Sequence, residues 1–82
     1  FHAFQTEYSN ELYIQFTATK NTNIARIQIT GLDGKEVLRE NLNVEQGKNV
    51  HHIALKYVPT TGIYIVNLFI EDSFVSKKIS IQ

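Results

Sequence analysis

The chain has 82 residues, enough for one small domain and no more. Eight Lys and Arg balance eight Asp and Glu, and a formal net charge of zero argues against a nucleic-acid binder, which needs a basic face, and against a polybasic membrane tether. Without Cys neither a disulfide frame nor a thiolate zinc site is available, and no apolar run is long enough to span a bilayer as a helix. Met is also absent and the chain starts at Phe1, so residues 1–82 read as a single domain excised from a longer protein.

The apolar residues are of strand-forming types. Ten Ile, six Val and seven Thr are β-branched and nine residues are Phe or Tyr, against four Ala and six Leu. Branching at Cβ restricts χ1 in a helix and packs well on a pleated surface. In chain order, Phe1 to Gln5 is a short and weakly marked first strand. Leu12, Ile14 and Phe16 alternate with Tyr13, Gln15 and Thr17, which is the period of a half-buried strand. Ala25, Ile27 and Ile29 repeat the pattern. Asp33-Gly34 then signals a hairpin, because both residues tolerate positive φ. Glu36 to Val44 places Leu38, Leu42 and Val44 on one face. Glu45 to Lys48, with Gly47, is a second turn, and a strand from Asn49 to Leu55 puts His51, Ile53 and Leu55 on one face. Lys56 to Thr61 contains the sole proline, Pro59, and reads as a loop. Ile63 to Ile70 is apolar on both faces, which predicts a central strand covered on both sides. After Glu71-Asp72-Ser73 the last strand, Phe74 to Ile81, has Val75, Lys77, Ile79 and Ile81 on one side and Lys78 on the other. About seven short strands with turns every eight to twelve residues predict an all-β, immunoglobulin-like antiparallel β-sandwich, without the Cys and Trp of an antibody domain.

Catalytic chemistry has little to work with. Nucleophilic catalysis needs a nucleophile, a base and an orienting group close together, and no Gly-x-Ser-x-Gly elbow or Gly-rich phosphate loop is present. His51 and His52 point to opposite faces of one strand, so they cannot chelate one metal through that strand. His51 reads as a partly buried side chain with one hydrogen bond. Glu36 and Glu40 share a face beside Lys35 and Arg39, as on a solvated strand edge. Asp33 lacks the repeated acidic spacing of a calcium loop, so Asp33, Gly34 and Gly47 read as turn residues. No catalytic residue, metal or cofactor is expected, and the chain is not expected to be an enzyme.

Several short segments in order carry a resemblance. They are Asn10 to Ile14, Ile27 to Val37 with Gly31-Leu32-Asp33-Gly34-Lys35, Gly47-Lys48-Asn49, Gly62-Ile63-Tyr64-Ile65-Val66, and Lys77-Lys78-Ile79 near the end. Together, over about residues 8 to 82, the chain resembles the type A C-terminal sorting domain of the type IX secretion system of Bacteroidetes. The family's fold, an immunoglobulin-like sandwich, agrees with the strand count. The resemblance implies a signal domain that directs its parent protein across the periplasm and through the outer-membrane translocon to the cell surface or extracellular space. Partners implied are that translocon, a sortase-like peptidase and an anionic lipopolysaccharide. Carried over to this chain, the export-linked positions are Pro59, Gly62, Tyr64, Lys77 and Lys78. The family's Pro-x-Gly-x-Tyr is stretched here by one residue, and its opening Tyr-Pro-Asn-Pro has no counterpart around Gln5 to Tyr8.

Each position also has a packing reading. Gly62 serves an unusual φ at the loop exit, and Tyr64 fills the core. The Lys77 stem covers the core edge or its charge blunts an exposed edge strand. The second departure keeps open an uncleaved interaction module of the secretion machinery or the cell surface. A carbohydrate-binding or spacer sandwich on a secreted enzyme ranks third, with Tyr8, Tyr13 and Tyr57 as its planar candidates. A dimer through edge strands is a further partner expectation.

Overall fold

Alternating apolar and polar residues let a strand hide one face and wet the other. The computed structural model, which describes residues 1–5, 11–55 and 61–81, shows this alternation as seven strands and no helix among those residues. They are β1 (His2–Gln5), β2 (Glu11–Ala18), β3 (Thr22–Gly31), β4 (Glu36–Val44), β5 (Gly47–Ala54), β6 (Gly62–Ile70) and β7 (Ser73–Ile81). One sheet has the order β1-β2-β5 and the other β4-β3-β6-β7, and every neighbouring pair is antiparallel. This is the expected immunoglobulin-like sandwich. The fourth strand stays hairpinned to β3 instead of crossing to the β1-β2-β5 sheet, unlike the constant-domain arrangement.

The core is the space between the sheets. Leu12, Ile14 and Ile53 face inward from one sheet, and Ile27, Ile29, Val66 and Leu68 from the other, all but sealed from solvent. Each such side chain contributes about 1.5–3 kcal/mol by leaving water. In register, Ile29 lies between Leu38 and Val66, and Ile27 between Glu40 and Leu68.

Two departures from regular pairing reset which residues share a face. Ile29 pairs with Leu38 but Thr30 pairs with Glu36, so Val37 is an extra residue on β4. The bulge puts Glu36 on the outer face, where its carboxylate meets Arg39 Nε at 2.7 Å, while Glu40 lies on the inner face opposite Ile27. The expected shared face for Glu36 and Glu40 is therefore wrong. A second irregularity falls between Thr22 and Ala25, and there the Ile24 amide donates to Thr22 Oγ1 at 3.0 Å.

At the β3–β4 turn only Gly34 adopts positive φ, at 84°. Asp33 contributes through its side chain instead, accepting a hydrogen bond from the Lys35 amide at 3.0 Å, while the Gly34 amide donates to Gly31 O at 3.0 Å. The β4–β5 crossing is shorter than expected, because Gly47, at φ 99°, and Lys48 already belong to β5. Its anchor is Asn49, a buried polar side chain with both ends satisfied. Asn49 Oδ1 accepts from the Glu45 amide at 3.0 Å, and Nδ2 donates to Glu45 O at 2.7 Å and Gly47 O at 3.1 Å. The Gln46 amide donates to Asn21 Oδ1 at 2.7 Å, tying this crossing to the segment before β3.

The central position expected for β6 is observed, between β3 and β7, but cover on both sides is not found among the described residues. With two layers, the outer face of β6 has only its sheet neighbours for company: Ile63 is 47% exposed, and Ile65, Asn67 and Phe69 are half-buried. A strand apolar on both faces, read as doubly covered, has an outer face that remains partly wet.

Candidate functional site

The export-linked positions gather on the β6–β7 hairpin, except Pro59, which lies outside the described residues. Gly62 opens β6 with φ 154° and pairs with Ile81. Tyr64 pairs with Gly31 on one side and Ile79 on the other, and is buried among the core residues. Val66 and Ile65 then pair with Lys77 and Lys78 in consecutive rungs. Alternation does the rest. Lys77 shares the inward face of β7 with Ile79 and Ile81, and Lys78 the outward face with Ser76 and Ser80. Since β7 is an edge strand, both lysines are exposed, one on each side of the same edge.

The hairpin is closed by Glu71 and Asp72. Glu71 adopts φ 52°, uncommon for a residue with a Cβ. Its amide donates to Ile24 O at 2.8 Å and its carboxylate meets Lys20 Nζ at 2.8 Å. Hydrogen bonds from Lys20 and then Thr22 hold the Glu71 carboxyl below its ordinary range, and the same Glu71 contact raises Lys20. On the outer face, Ser76 Oγ donates to Asn67 Oδ1 at 2.5 Å across the hairpin.

Two opposite edges carry an inward-facing charge: Glu40 on β4 and Lys77 on β7. Such charges spoil pairing of an edge with a second sheet. The histidines are dispersed. His51 faces inward against Phe16, with ring centroids 5.6 Å apart and planes at 13°. Its Nε2 is shielded and has no hydrogen-bond partner among the described residues. Desolvation lowers its pKa below the ordinary 6.5, opposed by Glu40 and reinforced by His52.

The outer face of the β1-β2-β5 sheet holds Tyr13, one of the three planar candidates for a sugar. Tyr8 and Tyr57 lie outside the described residues. Tyr13 has Phe4 stacked 5.5 Å away at 12° and His52 at 4.4 Å and 60°, while its hydroxyl donates to Glu11 Oε2 at 3.1 Å. Phe4 and His52 are its cross-strand neighbours on opposite sides, so the ring is engaged from both flanks.

Sequence reasoning missed a row across the other outer face. Asn41, Arg26, Phe69 and Phe74 stand opposite one another on β4, β3, β6 and β7. The Arg26 guanidinium lies 4.4 Å from the Phe69 ring centroid, and Phe69 stacks on Phe74 at 5.5 Å and 20°. Strand alternation marks each residue as outward-facing, but only the register brings them together.

No curated protein and no solved structure matches the chain. The description of the secretion system C-terminal sorting domain does match it, over residues 8–82. Strand count, sandwich and match agree, and the chain belongs to the type IX secretion C-terminal sorting domain family, which marks proteins for export to the cell surface or extracellular space.

Proposed function

We propose that this domain is the address by which its parent protein is delivered to the outer-membrane translocon, and that the address is read on the β6–β7 hairpin. The observation that carries the reading is the placement of Lys77 and Lys78 on the two sides of one exposed edge strand. Tyr64, buried in the core, and Gly62, at the start of the strand, tie that strand pair together through the ladder to Ile79 and Ile81. A rigid hairpin with fixed charges is recognised at low ordering cost. Contacts with a sortase-like peptidase or an anionic lipopolysaccharide follow delivery in this reading. The intact mass of the parent at the cell surface separates a cleaved address from a retained module.

The test is export of a reporter fused ahead of this chain, compared with Lys77→Ala/Lys78→Ala. Both side chains are exposed, so thermal stability is expected to stay within about 0.5 kcal/mol. Secretion is expected to fall several-fold. Undiminished secretion of the double variant overturns the reading.

A further inference from the structure

We propose that the groove around Arg26, on the outer face of the β4-β3-β6-β7 sheet, is a docking site for a carboxylate side chain of a protein partner. The site is separate from the lysine-bearing stretch of β7 and does not depend on how the hairpin is read. Four observations converge on it.

The first is an orphaned donor. Arg26 Nε is fully shielded from solvent and has no hydrogen-bond partner among the described residues. Buried polar groups are nearly always paired, so an unpaired one calls for an explanation. The second is orientation. The guanidinium is fixed 4.4 Å from the Phe69 ring centroid, so its planar fork is held ready for a ligand. The third is charge. The carboxylate lining the groove, on Glu71, is already committed to Lys20 at 2.8 Å, and Arg26 forms no ion pair among the described residues. The fourth is space. The groove has a volume of about 410 Å³, and the Asn23 and Asn41 carboxamides join Arg26 in its lining. The β3 irregularity between Thr22 and Ala25 lies beside Arg26, at a position of the kind that re-aims side chains.

The shielded Nε shows that nothing within the described residues claims this guanidinium, and its two outward Nη groups, which form no ion pair there, match a planar carboxylate in two parallel hydrogen bonds. The surroundings select a protein source for it. Ile24 lines the groove and is 65% exposed, and Phe74, stacked on Phe69, is 62% exposed. Aromatic residues and Arg beside exposed aliphatic surface are the composition of a protein-binding hot spot. A sugar would need a free ring face at Phe69. Arg26 and Phe74 are its cross-strand neighbours on opposite sides, and both contact the ring. Inorganic phosphate would leave Ile24 and Phe74 unused. The partner is therefore an acidic residue flanked by apolar ones.

The experiment uses the full chain, labelled with ¹⁵N, titrated with the blocked peptide acetyl-Leu-Asp-Leu-amide and followed at the Arg26 Nε–H resonance and the Phe74 ring protons. A saturable shift of both is expected. Binding is expected to weaken about tenfold with the Leu-Asn-Leu peptide, which lacks the charge. A similar loss is expected for Arg26→Lys, which keeps the charge but loses the fork. Should Arg26→Lys fail to fold, Asn41→Ala, at an exposed position, supplies the second variant and is expected to weaken binding at least twofold. Absence of a saturable shift overturns the proposal, as does equal binding of the Asn peptide or unaltered binding by the folded variants. Glucuronate or inorganic phosphate saturating the same resonances at equal or lower concentration also overturns it, in favour of a sugar or a free anion.

Discussion

Tyr64 and Lys77 lie close on the same hairpin and bear opposite relations to solvent. Tyr64 is 6% exposed in the core. Replacing it by Ala is expected to cost about 3–5 kcal/mol, because the cavity left behind closes only in part; urea unfolding monitored by circular dichroism measures the loss. Gly34→Ala is expected to cost about 1–2 kcal/mol for a different reason. A Cβ there would meet no atom within 4 Å, so the cost is the φ of 84° alone. His51 couples stability to pH. Its folded pKa lies below 6.5, because burial disfavours the imidazolium more than Glu40 favours it. The unfolded chain therefore binds that proton more tightly, and stability falls as pH drops below about 6.5, levelling off under the folded value. His51→Gln is expected to flatten this part of the profile in melts between pH 5 and 7.5, and an unchanged slope would refute the assignment. At this scale the packing role of Tyr64 and the faces of both lysines were legible, because side-chain direction in a strand is local. The orphaned His51 Nε2 was not, since its surroundings depend on what the opposite sheet presents.

Among the strands, periodicity located every element and register decided what each could do. Six of the seven were clear from alternation, and the weakly marked first became β1, four residues paired along Leu12 to Gln15. Leu38, Leu42 and Val44 share the inner face as expected, but the face of Glu36 was misread, because the residue inserted at Val37 moves it to the other side relative to the rest of β4. Beyond the bulge, regular alternation points Glu40 inward on an edge strand, matching Lys77 on the opposite edge of the same sheet. These charges are expected to keep the sheet from growing. Glu40→Val and Lys77→Val, singly and together, are expected to shift the chain toward dimers and larger species. Sedimentation velocity at rising concentration measures this, and a monomeric double variant would show that the edges are guarded otherwise.

For the molecule as a whole, composition and turn spacing were enough for the sandwich, and the ordered short motifs for the family. They could not yield the Arg26 row, which is assembled from four strands by pairing alone. The split of the strands between the sheets has a temporal side. The β3–β4 and β6–β7 pairs are hairpins that close locally, but β2 has to wait for β5, and β3 for β6, before either sheet is whole. Closing ladders between distant segments is slow, and sandwiches of this kind fold in milliseconds to seconds. Stopped-flow refolding is expected to fall in that range, with Leu68→Ala slowing it more than Leu42→Ala, because Leu68 belongs to the β3–β6 ladder and Leu42 to the local hairpin. On this ordering the β6–β7 hairpin is closed before the sandwich behind it, and a partner that binds only the hairpin as the finished sandwich holds it would be timed by this last closure.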